Sequence, residues 1–376
     1  MPRNYFKLPS WFEEWNAKRP TDVYGPGIIV GIVGSVLFVF AAIVILGQPF
    51  ATDSLQSGPR GTGMSRAEFV SDLATPDPDI EELYEDEPFV PQGDEVLAKD
   101  IYENVQVLGD LTEDNFLRLM NAITLWVAPE EGCAYCHAED DIEEYGNDSL
   151  YTKVVSRRMI EMTQNINAFW DGHVSANKEV GVTCFTCHRG NPVPSDIWYN
   201  NVPVNQAAAG WSANQNRATR NSQSTSLPSD ALQEFFINNE TIAVHDLESR
   251  VPGVPGRDLP SIQNTERTYS LMNHFANSLG VNCVFCHNSR AFYEGSEVTP
   301  QWSTASLGIA MVQELNNDYL LPLEGILPES RLGAIHGDVP KVSCKTCHKG
   351  YQQPLQGENV IADWPELQTT ETPVYE

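Results

Sequence analysis

The stretches that decide the reading are Cys133-Ala-Tyr-Cys136-His137, Cys184-Phe-Thr-Cys187-His188, Cys283-Val-Phe-Cys286-His287 and Cys344-Lys-Thr-Cys347-His348. Each repeats Cys-x-x-Cys-His. This spacing suits covalent c-type haem: the two thiols add to the two vinyl groups as thioethers, and the next residue presents an imidazole to the iron. All eight cysteines fall in these motifs, so four haems are expected and no thiol is left for a disulfide. Paired Cys-x-x-Cys units with nearby His also build tetrahedral zinc sites. Zinc gives no reason for His to follow directly four times.

Haems are large and apolar, so four of them can serve as much of the core of a 376-residue chain with 20% charged residues. The formal charge of -28 excludes nucleic acid as a partner, because nothing here neutralises phosphates. A basic protein is the natural counterpart. The same acidity also serves plain solubility.

One segment breaks the polar character. Gly27 to Gly47 reads Gly-Ile-Ile-Val-Gly-Ile-Val-Gly-Ser-Val-Leu-Phe-Val-Phe-Ala-Ala-Ile-Val-Ile-Leu-Gly, uncharged and long enough to cross roughly 30 Å of hydrocarbon. It is expected to form one transmembrane helix. A signal peptide would have an apolar core of about 7–15 residues and an Ala-x-Ala-like cleavage site. No Cys precedes Cys133, so no lipid-carrying cysteine is expected. Arg3, Lys7, Lys18 and Arg19 lie before the span and Arg60 is the first base after it, which puts the amino terminus in the cytoplasm and the haem motifs in the periplasm.

The expected organisation runs as follows. Residues 1–24 carry Phe6, Trp11, Phe12 and Trp15 among charges and read as a cytoplasmic interfacial segment. Residues 25–48 are the membrane helix, and 49–95, rich in Gly, Pro and acid, are an extended periplasmic strap. Residues 96–200 and 261–354 are two-haem units, joined by a polar surface linker over 201–260. Residues 355–376 read as a loosely held acidic tail. The two units echo each other: Leu119-Met120-Asn121 before motif one matches Leu271-Met272-Asn273 before motif three, and Met162 to Asn167 before motif two matches Met311 to Asn316 before motif four. That order indicates internal duplication.

Electron-transferring haems carry a second axial ligand, usually Met or His. Thr112 can cap a helix with Phe116, Met120, Ile123 and Val127 on one face, which points Met120 at haem one. A second helix aligns Val155, Met159, Met162, Ile166 and Phe169, so that Met162 or Met159 reaches haem two, and Asp171-Gly172 ends it. A third aligns Thr268, Met272, Phe275 and Leu279 before Gly280, which offers Met272 to haem three. For haem four, spacing leaves Met311, His336 and His173 open. An isolated Met would merely fill core. His245 and His274 are read as ordinary histidines.

The chain resembles the tetrahaem cytochrome c subunit of the photosynthetic reaction centre of purple bacteria. The likeness runs from about Gly58 to Gly350, through Gly58-Pro-Arg-Gly-Thr-Gly-Met64, Val105-Gln-Val-Leu-Gly-Asp110, Leu117-Arg-Leu-Met120, Gly181-Val-Thr-Cys-Phe-Thr-Cys-His-Arg-Gly190 and the four motifs in order. The resemblance implies a mostly helical multihaem fold, with two pseudo-symmetric haem pairs, here preceded by one transmembrane helix. It implies three His/Met haems, with Met120, Met162 and Met272 opposite His137, His188 and His287. The fourth is implied to be bis-His, with His173 opposite His348, although three more residues than expected separate His173 from Cys184. Some members carry a lipid on an amino-terminal Cys; this chain is expected to use its helix instead. The implied role is an electron carrier, not an enzyme. It would pass electrons from a soluble periplasmic donor, a basic cytochrome c, to the bacteriochlorophyll special pair of the reaction-centre core. The rival readings are a membrane-anchored tetrahaem quinol dehydrogenase, expected to be shorter and richer in His ligands, and a multihaem reductase, which needs an open axial position.

Overall fold

The computed structural model describes residues 10–18, 24–47, 52–56, 65–69, 86–138, 145–200, 227–242, 262–292 and 294–375. The chain divides into two compact units. One comprises Met1–Ser54 with Ala67–Thr75, and the other Leu55–Arg66 with Pro76–Glu376.

In the smaller unit, α1 (Ser10–Ala17) is short, and Trp11 on it is 64% exposed. α2 (Tyr24–Gly47) is a 24-residue helix with no charged residue in its first or last turn. Its described side chains run from 31 to 45 and are almost all exposed. Among the described residues no helix is long and apolar enough to cross a membrane. Two short strands, β1 (Thr52–Gln56) and β2 (Ser65–Phe69), pair in the stretch read as a strap.

The larger unit is helical. α3 (Glu113–Val127) starts where expected: Thr112 is extended and its side chain accepts from the backbone of Asn115. α4 (Tyr151–Phe169) is followed by the single turn α5 (Asp171–Val174), and motif two forms α6 (Cys184–His188). After α7 (Ala231–Phe236) come α8 (Ile262–Leu279) and α9 (Pro300–Glu314), the latter continued by a π-helical segment, Leu315–Leu320. Motif four forms α10 (Cys344–His348), and α11 (Pro365–Gln368) lies near the chain end. Gly280 ends α8 with φ +65°, and a Cβ there would meet the Gly350 carbonyl oxygen. Glycine is required on both counts.

Two expectations about organisation are corrected. Residues 355–376 are not a loose tail. Leu355, Val360, Ile361, Trp364 and Leu367 are buried with Leu119, Ala122 and Trp126 of α3 and Phe185 of α6. Complete burial of a side chain such as Leu367 stabilises by roughly 1.5–3 kcal/mol. A buried ion pair joins the same elements: Arg118 Nη2 lies 2.7 Å from Glu366 Oε1, with side chains 1% and 0% exposed. Acid and proline in this stretch had hidden its apolar spacing. The second correction concerns the linker. Its residues 201–226 and 243–260 lie outside the described residues, but α7 places Leu232, Phe235 and Phe236 in a core with Leu271, Val312 and Trp198.

Candidate haem-binding centre

The same backbone contacts hold the chain around motif two and motif four. Val182 N donates to Asn167 Oδ1 at 2.9 Å while Asn167 Nδ2 donates to Val182 O at 2.9 Å. Val342 and Asn316 make the corresponding pair at 2.9 and 3.0 Å. Thr183 N donates to Thr186 Oγ1 at 3.1 Å, and Ser343 N to Thr346 Oγ1 at 2.9 Å. Beyond the motifs, Arg189 and Lys349 take left-handed backbone, φ 50° and 54°. Gly190 N then reaches Trp126 O and Gly350 N reaches Ser278 O, each at 2.9 Å. Each second motif is thereby tied to the helix that precedes its first motif.

All eight motif cysteines and the four motif histidines line one continuous cavity of about 1830 Å³. Small-molecule pockets usually measure roughly 300–1,000 Å³, so this space suits several flat cofactors rather than one. Met120, Met159, Met162, Met272, Met311 and His173 line it as well. His336 is exposed and does not. His274 is buried away from the cavity, with Nε2 3.3 Å from Ser278 Oγ. His245 lies outside the described residues.

The donor chemistry fits haem iron. His137 Nδ1 faces Tyr145 O at 3.3 Å, His188 Nδ1 faces Asn191 O at 2.8 Å, and His348 Nδ1 faces Tyr351 O at 3.1 Å. A carbonyl at Nδ1 keeps the proton there and leaves the Nε2 lone pair for a metal. The Phe292 carbonyl acts on His287 in the same direction without closing to a hydrogen bond. Burial pushes all four imidazoles below their ordinary pKa, His348 to about 4, so each is held in the neutral form that ligates. Burial also pushes the thiols of Cys184 and Cys344 up to about 12.

His173, on α5, sits across the cavity from motif four. Its ring centroid is 6.1 Å from that of His348, its Nδ1 is 2.9 Å from Thr304 O, and it rests against Gly308 of α9. Sequence reasoning missed Thr304 and Gly308. The duplication carried a signal for Gly308 alone, since matching Asn167 to Asn316 also matches Met159 to Gly308, while Thr304 falls opposite Val155.

On α4, Met159 and Met162 differ. Met162 packs with Ile166, Val182, Met311 and Leu315 in an apolar cluster. Met159 has its carbonyl held by Thr163 Oγ1 at 2.9 Å, as Met120 has its own held by Thr124 Oγ1 at 2.9 Å.

One feature departs from expectation. Cys187 and Cys347 are joined as a disulfide with Cα atoms 4.6 Å apart, where no thiol was expected to be left for one. The cause is the packing of α6 against α10, which brings the second cysteines of motifs two and four together. A sulfur in a disulfide has no thiol to add to a vinyl group, so the two bonds are alternatives for these atoms.

Comparison with known proteins places this geometry in context. The family described as "Photosynthetic reaction centre cytochrome C subunit" matches residues 47–368. The photosynthetic reaction center cytochrome c subunit of Roseobacter denitrificans is 64% identical over 370 residues, covering 98% of this chain and all of the relative. The protein of that name from Rubrivivax gelatinosus is 43% identical, covering 84% of this chain and 83% of its own. That from Thermochromatium tepidum is 40% identical, covering 73% and 65%.

Proposed function

The chain belongs to the photosynthetic reaction centre cytochrome c subunit family, and from that premise we propose that it carries electrons through four covalently bound haems to the photo-oxidised bacteriochlorophyll special pair. Its role as an electron-transfer subunit follows from the family. The observation that carries the finer reading is the single cavity lined by all four Cys-x-x-Cys-His motifs. When bound there, haem iron supplies the one-electron chemistry, at potentials set by axial ligand and burial.

The residues divide that work. Cys133 and Cys136, Cys184 and Cys187, Cys283 and Cys286, and Cys344 and Cys347 hold the macrocycles as thioethers. His137, His188, His287 and His348 are the proximal ligands. Met120 and Met272 face the first and third, and His173 faces His348. For the second haem the repeat favours Met159 over Met162, because Met159 corresponds to the position where His173 rests on α9, whereas Met162 is engaged in an apolar cluster. The recurring hydrogen bonds support two pseudo-symmetric two-haem units. The uncharged sequence run from Gly27 to Gly47 supports one membrane span, and the bases before it support a cytoplasmic amino terminus and periplasmic haems. The net charge of -28 supports a basic soluble donor, a cytochrome c.

The test is a flash experiment on membranes containing the reaction centre. Light should oxidise c-type haem on the sub-millisecond scale of an intact electron-transfer chain, and a pyridine haemochrome assay should count four haems per chain. Haems that stay reduced after the flash while the special pair is oxidised would reject the reading.

A further inference from the structure

The two halves differ at one position. Eight residues before Asn167 is Met159 on α4, and eight before Asn316 is Gly308 on α9. Gly308 is buried in the middle of its helix and does not have positive φ, so no backbone requirement calls for glycine there. A mid-helix glycine is destabilising relative to alanine, which leaves a packing reason. That reason is His173. A Cβ built on Gly308 would lie 2.4 Å from Cε1, 2.8 Å from Nδ1 and 3.0 Å from Nε2 of its ring. The imidazole fills the volume that a side chain at 308 would need.

We propose that Gly308 selects the sixth ligand of the fourth haem. By presenting no side chain where α4 presents Met159, α9 lets a histidine from the first half cross over and take the axial position. The Thr304 carbonyl, one turn earlier on α9, is 2.9 Å from His173 Nδ1, which keeps the proton on that nitrogen and leaves the Nε2 lone pair free to ligate. Gly308 is thus a positioning residue, and Gly308 with Thr304 forms a seat shaped for an imidazole. The ring cannot yield to a Cβ cheaply, since it is held at Nδ1 by Thr304 and at Nε2 by its ligand role. This inference rests on the reading of His173 and His348 as the axial pair.

The test uses the full-length, haem-loaded protein and near-infrared magnetic circular dichroism, which separates bis-imidazole, imidazole–thioether and five-coordinate iron. His173→Ala is measured first and should abolish the bis-imidazole signal. If the signal survives, the ligand reading fails. Given its loss, Gly308→Ala should abolish the same signal and shift one of four midpoint potentials, with the haem count and the three His/Met signals unchanged. A bis-imidazole signal and four midpoints unaltered by Gly308→Ala would overturn the proposal while leaving His173 as ligand. Should Gly308→Ala fail to accumulate, His173→Gly is compared with the double variant His173→Gly, Gly308→Ala, in which loss of the ring makes room for the added methyl. Free imidazole should rescue the single variant and bind the double one weaker by about tenfold or more, as overpacking of this size implies. Equal imidazole affinity overturns the proposal.

Discussion

The rings of His173 and His348 oppose each other with centroids 6.1 Å apart and planes at 68°. Their Nδ1 atoms are both turned to carbonyls, of Thr304 and Tyr351, which leaves both Nε2 lone pairs free of those hydrogen bonds. The pair draws one ligand from α5 and one from α10, and so joins the two halves through a single site.

Thioether sulfur favours reduced iron more than imidazole does. His173→Met should therefore raise one midpoint potential and leave the other three in place. A redox titration with four unchanged midpoints would remove His173 from the ligand set.

Met159 and Met162 are one turn apart, and their environments predict opposite behaviour. Met159→His should lower one midpoint, whereas Met162→Leu should leave all four alone and cost less than about 1.5 kcal/mol of stability, as a volume-conserving core change does. The reverse pattern in a redox titration of the two variants would restore Met162 as the ligand.

How much of this was legible in the residues differs from place to place. The motifs name their own chemistry, because spacing alone brings two thiols and an imidazole to one macrocycle. α3 was legible because Thr112 caps it and its apolar positions recur at helical spacing. The choice between Met159 and Met162 was not, since both lie on one helical face and only the tertiary match to Gly308 separates them. The chain end was misread because its apolar residues are spread among Pro and Glu without a helical or strand period, and the partner that makes Glu366 buriable, Arg118, lies 248 positions away. Gly308 carried no signal of its own, since a glycine inside a helix earns meaning only from what rests against it.

Arg118 and Glu366 define the next prediction. Arg118 also donates to Asp363 O at 2.8 Å and stacks 4.1 Å from the Trp364 ring, which itself meets Trp126 edge-on at 4.7 Å. Removing one partner leaves a buried charge uncompensated, at a cost of roughly 3–5 kcal/mol. Arg118→Ala and Glu366→Gln should each lower thermal stability by that order, while the double change Arg118→Met, Glu366→Leu should recover most of it. Equal loss in single and double variants would show that shape, not charge, governs this contact.

His274 sets an acid limit. Burial pushes its pKa down to about 4, with Lys345 adding to the shift, against an ordinary value near 6.5. Above pH 6.5 the ring is neutral folded or unfolded and contributes nothing. Between 6.5 and 4 only the unfolded chain takes the proton, so stability falls as pH falls, by about 3 kcal/mol at most, and levels off below 4. His274→Gln should lack this component. Parallel stability curves for wild type and variant across that window would rule it out.

The last prediction concerns Cys187 and Cys347. Their proximity comes from the packing of α6 on α10, which the repeat builds by tying motif two to α3 through Gly190 and motif four to α8 through Gly350. Sulfur can form the disulfide or the thioether, not both. The disulfide would deprive motifs two and four of one attachment each, whereas the first cysteines, Cys184 and Cys344, are free for the other. If both haems are attached through both sulfurs, peptide mapping of the haem-loaded protein without reductant should find one haem on each of the peptides containing residues 184–188 and 344–348, and no cross-link between them. Reduction should then change neither the masses nor the thiol count, which should be zero. A cross-linked pair of haem peptides that separates on reduction would overturn the thioether assignment of Cys187 and Cys347. The second and fourth haems would then hang from Cys184 and Cys344 alone.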